Sequence, residues 1–307
     1  MRPIMLMFLC VVLALSVSAK RNKNEQRQLN TVVALQESDT LTAIIIGSGS
    51  PEYNPERSGP SVLIRYKDIN ILVDMGNGTI ARLAEKGISV DSIDALFFTH
   101  HHFDHNEEFI PIFIKKCAKK NEFLIVGPEK TRKMVTTIAE LYHDDIVYRI
   151  QGASKETVVY SIKEITDHET FEYKGITITT TSVNHTIPTI AYRFEADGMS
   201  IVISGDTAYS QNLSTLAHNA DILIIDSGSL KLISPESSRK PRNSRVAHAS
   251  FDELLQMIVD SDATQTVLTH FGTRQLDQEN ICQEINKKHR GKITFAVDGM
   301  LLSNKTE

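Results

Sequence analysis

His100-His101-His102-Phe103-Asp104-His105 is the stretch on which the reading of this chain turns. His100, His102, Asp104 and His105 all have metal-ligand chemistry. Side chains two residues apart on extended backbone point the same way, so His100 and His102 can share one ion. Asp104 and His105, at the turn into a helix, can face a second. Imidazole and carboxylate suit zinc and similar divalent ions. Ala95-Leu96-Phe97-Phe98 upstream reads as a buried strand, and residues 106–114 downstream open a helix. A solvated histidine-rich loop is a fair reading of two histidines alone. Four candidate ligands set between a strand and a helix leave it little room, and make His101 and Phe103 spacers.

Outward from the motif, strand-like apolar runs fall at residues 42–46, 61–66, 71–73, 123–126, 157–162, 176–181, 190–194, 200–203, 222–225, 266–268 and 292–296. Helical patterns fall at 80–85, 109–119, 129–142, 251–259 and 279–288. Many strands with helices between them predict stacked α and β layers. Residues 231–245, with several Ser, Pro and basic side chains, read as a mobile loop. Asp74, His185, Asp206 and His270 each stand at or just past the end of an apolar run, where binding residues collect. Any one of them reads equally well as a capping or turn residue. Taken with the motif they complete the ligand set for two ions.

The chain has 307 residues, 41% of them hydrophobic, and a formal net charge of −5. That is enough apolar material for one sizeable α/β domain, and it carries no basic surplus of the kind phosphate contacts need. Residues 1–19 read as a secretory signal: Arg2, an apolar core at 4–15, then Val17-Ser18-Ala19. The apolar run is shorter than the roughly 20 residues that span a bilayer. The expectation is a secreted or periplasmic protein with no stable membrane association after cleavage. Residues 20–40 form a mobile mature N-terminus and first strand, and 41–303 a single hydrolase domain. Cys117 and Cys282 then remain, either as one disulfide or as unpaired residues on two helices. Asn77, Asn184, Asn212 and Asn304 begin glycosylation sequons. A glycan on Asn77 or Asn184 would obstruct candidate ligands, which points to a setting without glycosylation.

Further motifs follow one another along the chain. Gly47-Ser48-Gly49-Ser50-Pro51 and Arg57-Ser58-Gly59-Pro60-Ser61 come first, then Val73-Asp74-Met75-Gly76 and Thr99 with the histidine motif. His185-Thr186-Ile187-Pro188-Thr189, Ser204-Gly205-Asp206-Thr207, Ala247-His248-Ala249-Ser250 and Leu268-Thr269-His270-Phe271 complete the series. In this order, over residues 42–296, the chain resembles the metallo-β-lactamase superfamily. His248 and Thr269-His270-Phe271 make it similar to the ribonuclease Z and arylsulfatase-like branch. The resemblance implies an α+β fold, the four-layer αββα sandwich. It also implies two divalent ions, zinc by preference: His100, His102 and His185 would hold one, Asp104, His105 and His270 the other. Asp206 would bridge them, with a hydroxide between. Asp74 would orient a ligand histidine from behind, and Asp226 would position His248. His248 and Asp104 are the catalytic candidates, His248 approaching the scissile group from the opposite side. Two ions stabilise attacking and leaving oxygens together, so a phosphodiester gains most, with a sulfate ester next.

Three departures bear on the substrate. The tRNA-processing members carry a long arm between the third metal-binding histidine and the bridging aspartate. Here the interval from His185 to Asp206 holds two strands and a turn at Asp197-Gly198. Ile225-Asp226-Ser227 stands where those members have a His-Glu pair, and an exported protein does not meet precursor tRNA. A small-molecule or nucleotide-type ester is therefore expected, and tRNA is not; homodimeric pairing is left open. The rival readings are a carboxyl-chemistry hydrolase of the same fold (β-lactamase, lactonase or thioesterase) and a secreted metal-binding module without catalysis.

Overall fold

The computed structural model describes residues 38–118, 122–152, 159–228, 230 and 247–303. The signal-like segment, most of the mature N-terminus and the loop at 231–245 lie outside the described residues. So do the start of the run at 157–162 and the sequon at Asn304.

Two seven-stranded sheets form the centre of the molecule. The first contains β1 (Ser38–Gly47), β2 (Ser61–Lys67), β3 (Ile69–Val73), β4 (Ala95–Phe97), β5 (Phe123–Gly127), β6 (Tyr160–Glu164) and, beside β1, β14 (Leu301–Leu302). The second contains β7 (Thr170–Tyr173), β8 (Ile176–Val183), β9 (Thr189–Ala196), β10 (Met199–Ile203), β11 (Ile222–Asp226), β12 (Gln265–Thr269) and β13 (Lys292–Phe295), in sequence order across the sheet. Each sheet begins with antiparallel hairpins and continues in parallel: from β3 through β6 in the first, from β10 through β13 in the second.

Both faces of the first sheet are buried, which explains its unbroken apolar runs. Ala43 and Ile45 of β1, Val62 and Ile64 of β2, and Ala95 and Phe97 of β4 point between the sheets. Ile44, Leu63 and Leu96 point to the outer face. That face is covered by α1 (Thr79–Glu85), α2 (Phe109–Cys117), α3 (Thr131–Leu141) and α4 (His143–Gly152), through Leu83, Phe113, Val135 and Ile146. The second sheet packs α5 (Gln211–Leu216), α6 (Phe251–Ser261) and α7 (Gln278–Asn286), through Leu213, Leu254, Ile258 and Ile285. Between the sheets, Phe97 meets Tyr192 and Phe194 with ring centroids 5.4 and 5.8 Å apart. The Tyr192 hydroxyl donates to the Phe98 carbonyl at 2.7 Å, so its polar end is satisfied inside the core. This is the four-layer sandwich.

The helix after the motif starts at Phe109, as its apolar pattern predicts, and Phe103–His105 before it forms a 3-10 turn. Other elements differ from the sequence reading. Strands β7 and β14 and helices α4 and α5 carried too few apolar residues to be read. Cys117 and Cys282 are both free thiols, on α2 and α7 in opposite outer layers, so the disulfide alternative is excluded by separation. Among the described residues no helix is long and apolar enough to cross a membrane.

Candidate metal centre

Every candidate ligand sits at one rim of the sandwich, where strands end. Asp74 follows β3, His100 follows β4, His185 follows β8, Asp206 follows β10 and His270 follows β12. Asp226 is the last residue of β11, and His248 precedes α6. Parallel strands deliver their carboxyl ends to the same edge, the usual place for a site in such sheets. Tight turns then aim the side chains inward. Asp74 and His270 both adopt left-handed backbone, with φ of 59° and 67°.

Among the described residues three groups of ligand atoms result, each within 4.8 Å of its own members: His100, His102, His185 and Asp206; Asp104, His105 and His270; and, overlapping these, Asp206, His248 and His270. Asp206 belongs with the second as well, since its carboxylate lies 3.2 Å from His105 Nε2 and 3.3 Å from His270 Nε2. In the first group His102 Nδ1 stands 3.1 Å from both His100 Nε2 and His185 Nε2. In the second, Asp104 Oδ2, His105 Nε2 and His270 Nε2 are buried without hydrogen-bond partners. Buried polar atoms are normally paired, and unpaired ligand atoms of the right chemistry pointing at one another fit a divalent cation.

The opposite ring nitrogens of His100, His102, His105 and His185 have partners, whereas Nδ1 of His270 has none within hydrogen-bond distance, with Asp226 Oδ1 3.6 Å away. His105 Nδ1 donates to Asp74 Oδ2 at 2.8 Å, and His185 Nδ1 to the Ala247 carbonyl at 2.7 Å. Thr186 Oγ1 lies 3.1 Å from His102 Nε2, and Thr99 Oγ1 lies 3.0 Å from His100 Nδ1. Such partners fix the tautomer and ring orientation of a metal ligand. Thr99, Thr186 and the Ala247 carbonyl had no assigned role in the sequence. Thr99 and Thr186 flank ligand histidines, a signal that was available, whereas a main-chain carbonyl gives none.

Electrostatics follow the geometry. Burial pushes His100 well below its ordinary range, and the neighbouring imidazoles add to that. Burial also lowers His102 and His185 against the pull of Asp206. These rings are neutral at pH 7, the form that ligates. Burial opposes charge on His105 too, but Asp206 and Asp74 outweigh it and raise its pKa well above the usual value. Asp206 is held well below the carboxylate range by His270 and His105 despite its burial. Asp104 is likewise lowered by His270 and His105 against burial.

His248 Nδ1 meets Asp226 Oδ2 at 2.7 Å. Asp226 is buried and also accepts from Thr207 N at 3.0 Å and Gly228 N at 2.8 Å. The His248 ring centroid lies 5.3 Å from that of His270 and 5.8 Å from that of His185. His101 turns away: its Nε2 meets Thr131 Oγ1 at 2.8 Å and its ring packs on Phe98. Phe103 is 62% exposed.

Residues 69–271 match the family described as the beta-lactamase superfamily domain. The chain belongs to the metallo-β-lactamase superfamily. Within it the chain is ribonuclease Z-like: it is 34% identical over 193 residues to the ribonuclease Z of Mycobacterium bovis (strain BCG / Pasteur 1173P2), covering 60% of this chain and 69% of the relative. Two solved structures share the fold. The metallo-β-lactamase fold protein YhfI of Bacillus subtilis has a TM-score of 0.67 at 18% identity, covering 85% of this chain and 98% of its own. Human tRNase Z, short form, has a TM-score of 0.66 at 19% identity, covering 86% and 100%. As a member of this superfamily the chain is a metal-dependent hydrolase, and the His/Asp groups are the candidates for its divalent-metal binding.

Proposed function

We propose that this protein is a zinc-dependent phosphodiesterase acting on nucleotide-type esters. The observation that carries this reading is the Asp226–His248 pair set beside the two ligand groups. His100, His102 and His185 would hold one ion and Asp104, His105 and His270 the other, with Asp206 between them. When bound, two zinc ions supply Lewis acidity toward the ester oxygens and a nucleophile at neutral pH. The carboxylates of Asp104 and Asp206 offset part of that positive charge and leave the remainder for an anionic substrate. Asp226 accepts the Nδ1 proton of His248, so the ring presents Nε2 to the reacting group. Protonated there, His248 stabilises developing charge and gives its proton to the leaving oxygen. A carboxyl-chemistry hydrolase has no evident use for that pair.

The substrate reading rests on two further observations. The interval from His185 to Asp206 is filled by the β9–β10 hairpin, whose turn is Asp197-Gly198, so no gripping arm projects there. Phe103, between two ligand candidates, and Tyr53, 82% exposed, offer aromatic faces of the kind on which bases stack. The names of the curated relatives favour RNA as a second reading. Purified zinc-loaded protein should hydrolyse bis-p-nitrophenyl phosphate and a dinucleotide, and leave a precursor tRNA, p-nitrophenyl sulfate, nitrocefin and a lactone largely intact. Faster cleavage of the tRNA would establish the second reading. Turnover confined to the sulfate, nitrocefin or the lactone would sink phosphodiester chemistry. We also propose export through residues 1–19: N-terminal sequencing of the mature protein should begin at Lys20, and an intact Met1 end would refute it.

A further inference from the structure

Thr99 lies between the two ligand groups and is fully buried. Its backbone N–H donates to Asp74 Oδ1 at 2.8 Å. Its hydroxyl lies 2.7 Å from Asp74 Oδ2 and 3.0 Å from His100 Nδ1. A hydroxyl has one proton and two lone pairs. The carboxylate only accepts, so the hydroxyl proton goes to Asp74. The Thr99 oxygen must then accept from His100, which places the imidazole proton on Nδ1 and leaves Nε2 as the ligating atom. The same Asp74 Oδ2 accepts from His105 Nδ1 at 2.8 Å. One carboxylate therefore orients a ring in each group: His105 directly, and His100 only through Thr99.

The position is fixed from other directions. Ile190 N donates to the Thr99 carbonyl at 2.9 Å. A Cβ on Gly205, the neighbour of Asp206, would lie 2.7 Å from Thr99 Cβ, so that turn is packed directly onto the threonine. Thr99 is thus the contact between the β3 end, the β4 end and the turn carrying Asp206.

We propose that Thr99 is a positioning residue that selectively sets the affinity of the His100-His102-His185 metal site. His105 keeps its own direct bond to Asp74 at 2.8 Å, so its site does not depend on the Thr99 hydroxyl in the same way. The inference rests on the metal reading above. Valine keeps the shape of threonine without the hydroxyl, and would strand a buried Nδ1–H. Loss of such an outer partner typically lowers metal affinity about 10–100-fold.

The test is equilibrium dialysis against buffered free zinc, with zinc per chain read by mass spectrometry and thermal unfolding of the metal-free proteins as a folding control. Wild type is expected to bind two ions. Thr99→Val should weaken one of them about 10–100-fold and leave the other within a few-fold. Thr99→Ser should restore both. In a His270→Ala background, which retains the first group, Thr99→Val should remove the remaining high-affinity ion. In a His185→Ala background it should change little. Wild-type affinities for both ions in Thr99→Val would overturn the relay, as would equal weakening of both or failure of serine to rescue. A wild type that takes up no zinc would overturn the metal reading itself.

Discussion

Asp226 accepts from Thr207 N, Gly228 N and His248 Nδ1, and its Oδ1 lies 3.6 Å from Nδ1 of the candidate ligand His270, so its loss should act first through His248, the ring it holds at hydrogen-bond distance. His248→Ala is expected to lower the phosphodiesterase rate about 10²–10⁴-fold, the range for an acid–base group, with zinc content unchanged. Asp226→Asn should cost about 10–100-fold, because an amide can reverse the His248 tautomer. An unchanged rate in His248→Ala, by steady-state assay, would remove it from the mechanism. His289 lies outside the candidate metal groups. It is buried after α7, and burial pushes its pKa below the ordinary 6.5, against the pull of Asp262 and the Ala263 carbonyl. The unfolded chain therefore takes up this proton first as pH falls. Stability from His289 is present above about pH 6.5 and is lost as pH drops through the depressed folded value. Urea unfolding should show a shallower acid limb in His289→Leu than in wild type; identical limbs would contradict the assignment.

Among the elements, α6 follows His248 directly and begins with a reciprocal cap. The Ser250 hydroxyl accepts from Glu253 N, and the Glu253 carboxylate accepts from Ser250 N at 2.8 Å. Ser250→Ala should cost about 1 kcal/mol of stability, read as a lower urea midpoint. Because the loop holding His248 and the Ala247 carbonyl enters this helix, the rate should fall more than zinc content does. Some elements are legible in the sequence and others are not. Strands buried on both faces, such as β1 and β4, announce themselves as continuous apolar runs. Strand β7, Thr170–Tyr173, has no fully buried residue, and β14 is two residues long. Helix α4 buries only Ile146 and Ile150, one turn apart, too thin a stripe to separate from a loop.

For the molecule as a whole, stability comes from the contact between the sheets and from the helices packed on their outer faces, to which ions at the rim would add. Phe97→Ala would empty the space against Tyr192 and Phe194 and should cost about 3–5 kcal/mol, lowering the melting temperature without any direct contact to a ligand. Zinc at 100 times its Kd should add about 2.7 kcal/mol per site, so chelation should lower the melting temperature clearly in wild type. An unchanged melting point on chelation would argue that the His/Asp groups hold no ion in the folded state. The amino-acid sequence carries the candidate ligand types and the layered fold: ligand chemistry lies in side-chain identity, and burial of a strand is written in its own residues. It also located Asp74, Asp206 and His270, because each closes an apolar run. Which nitrogen of His100, His102, His105 and His185 faces inward is settled in the folded chain alone. That depends on outer partners such as Thr99, Thr186 and the Ala247 carbonyl. The Ala247 carbonyl is brought to His185 from 62 residues along the chain, and main-chain groups, common to every residue, leave no mark in a sequence.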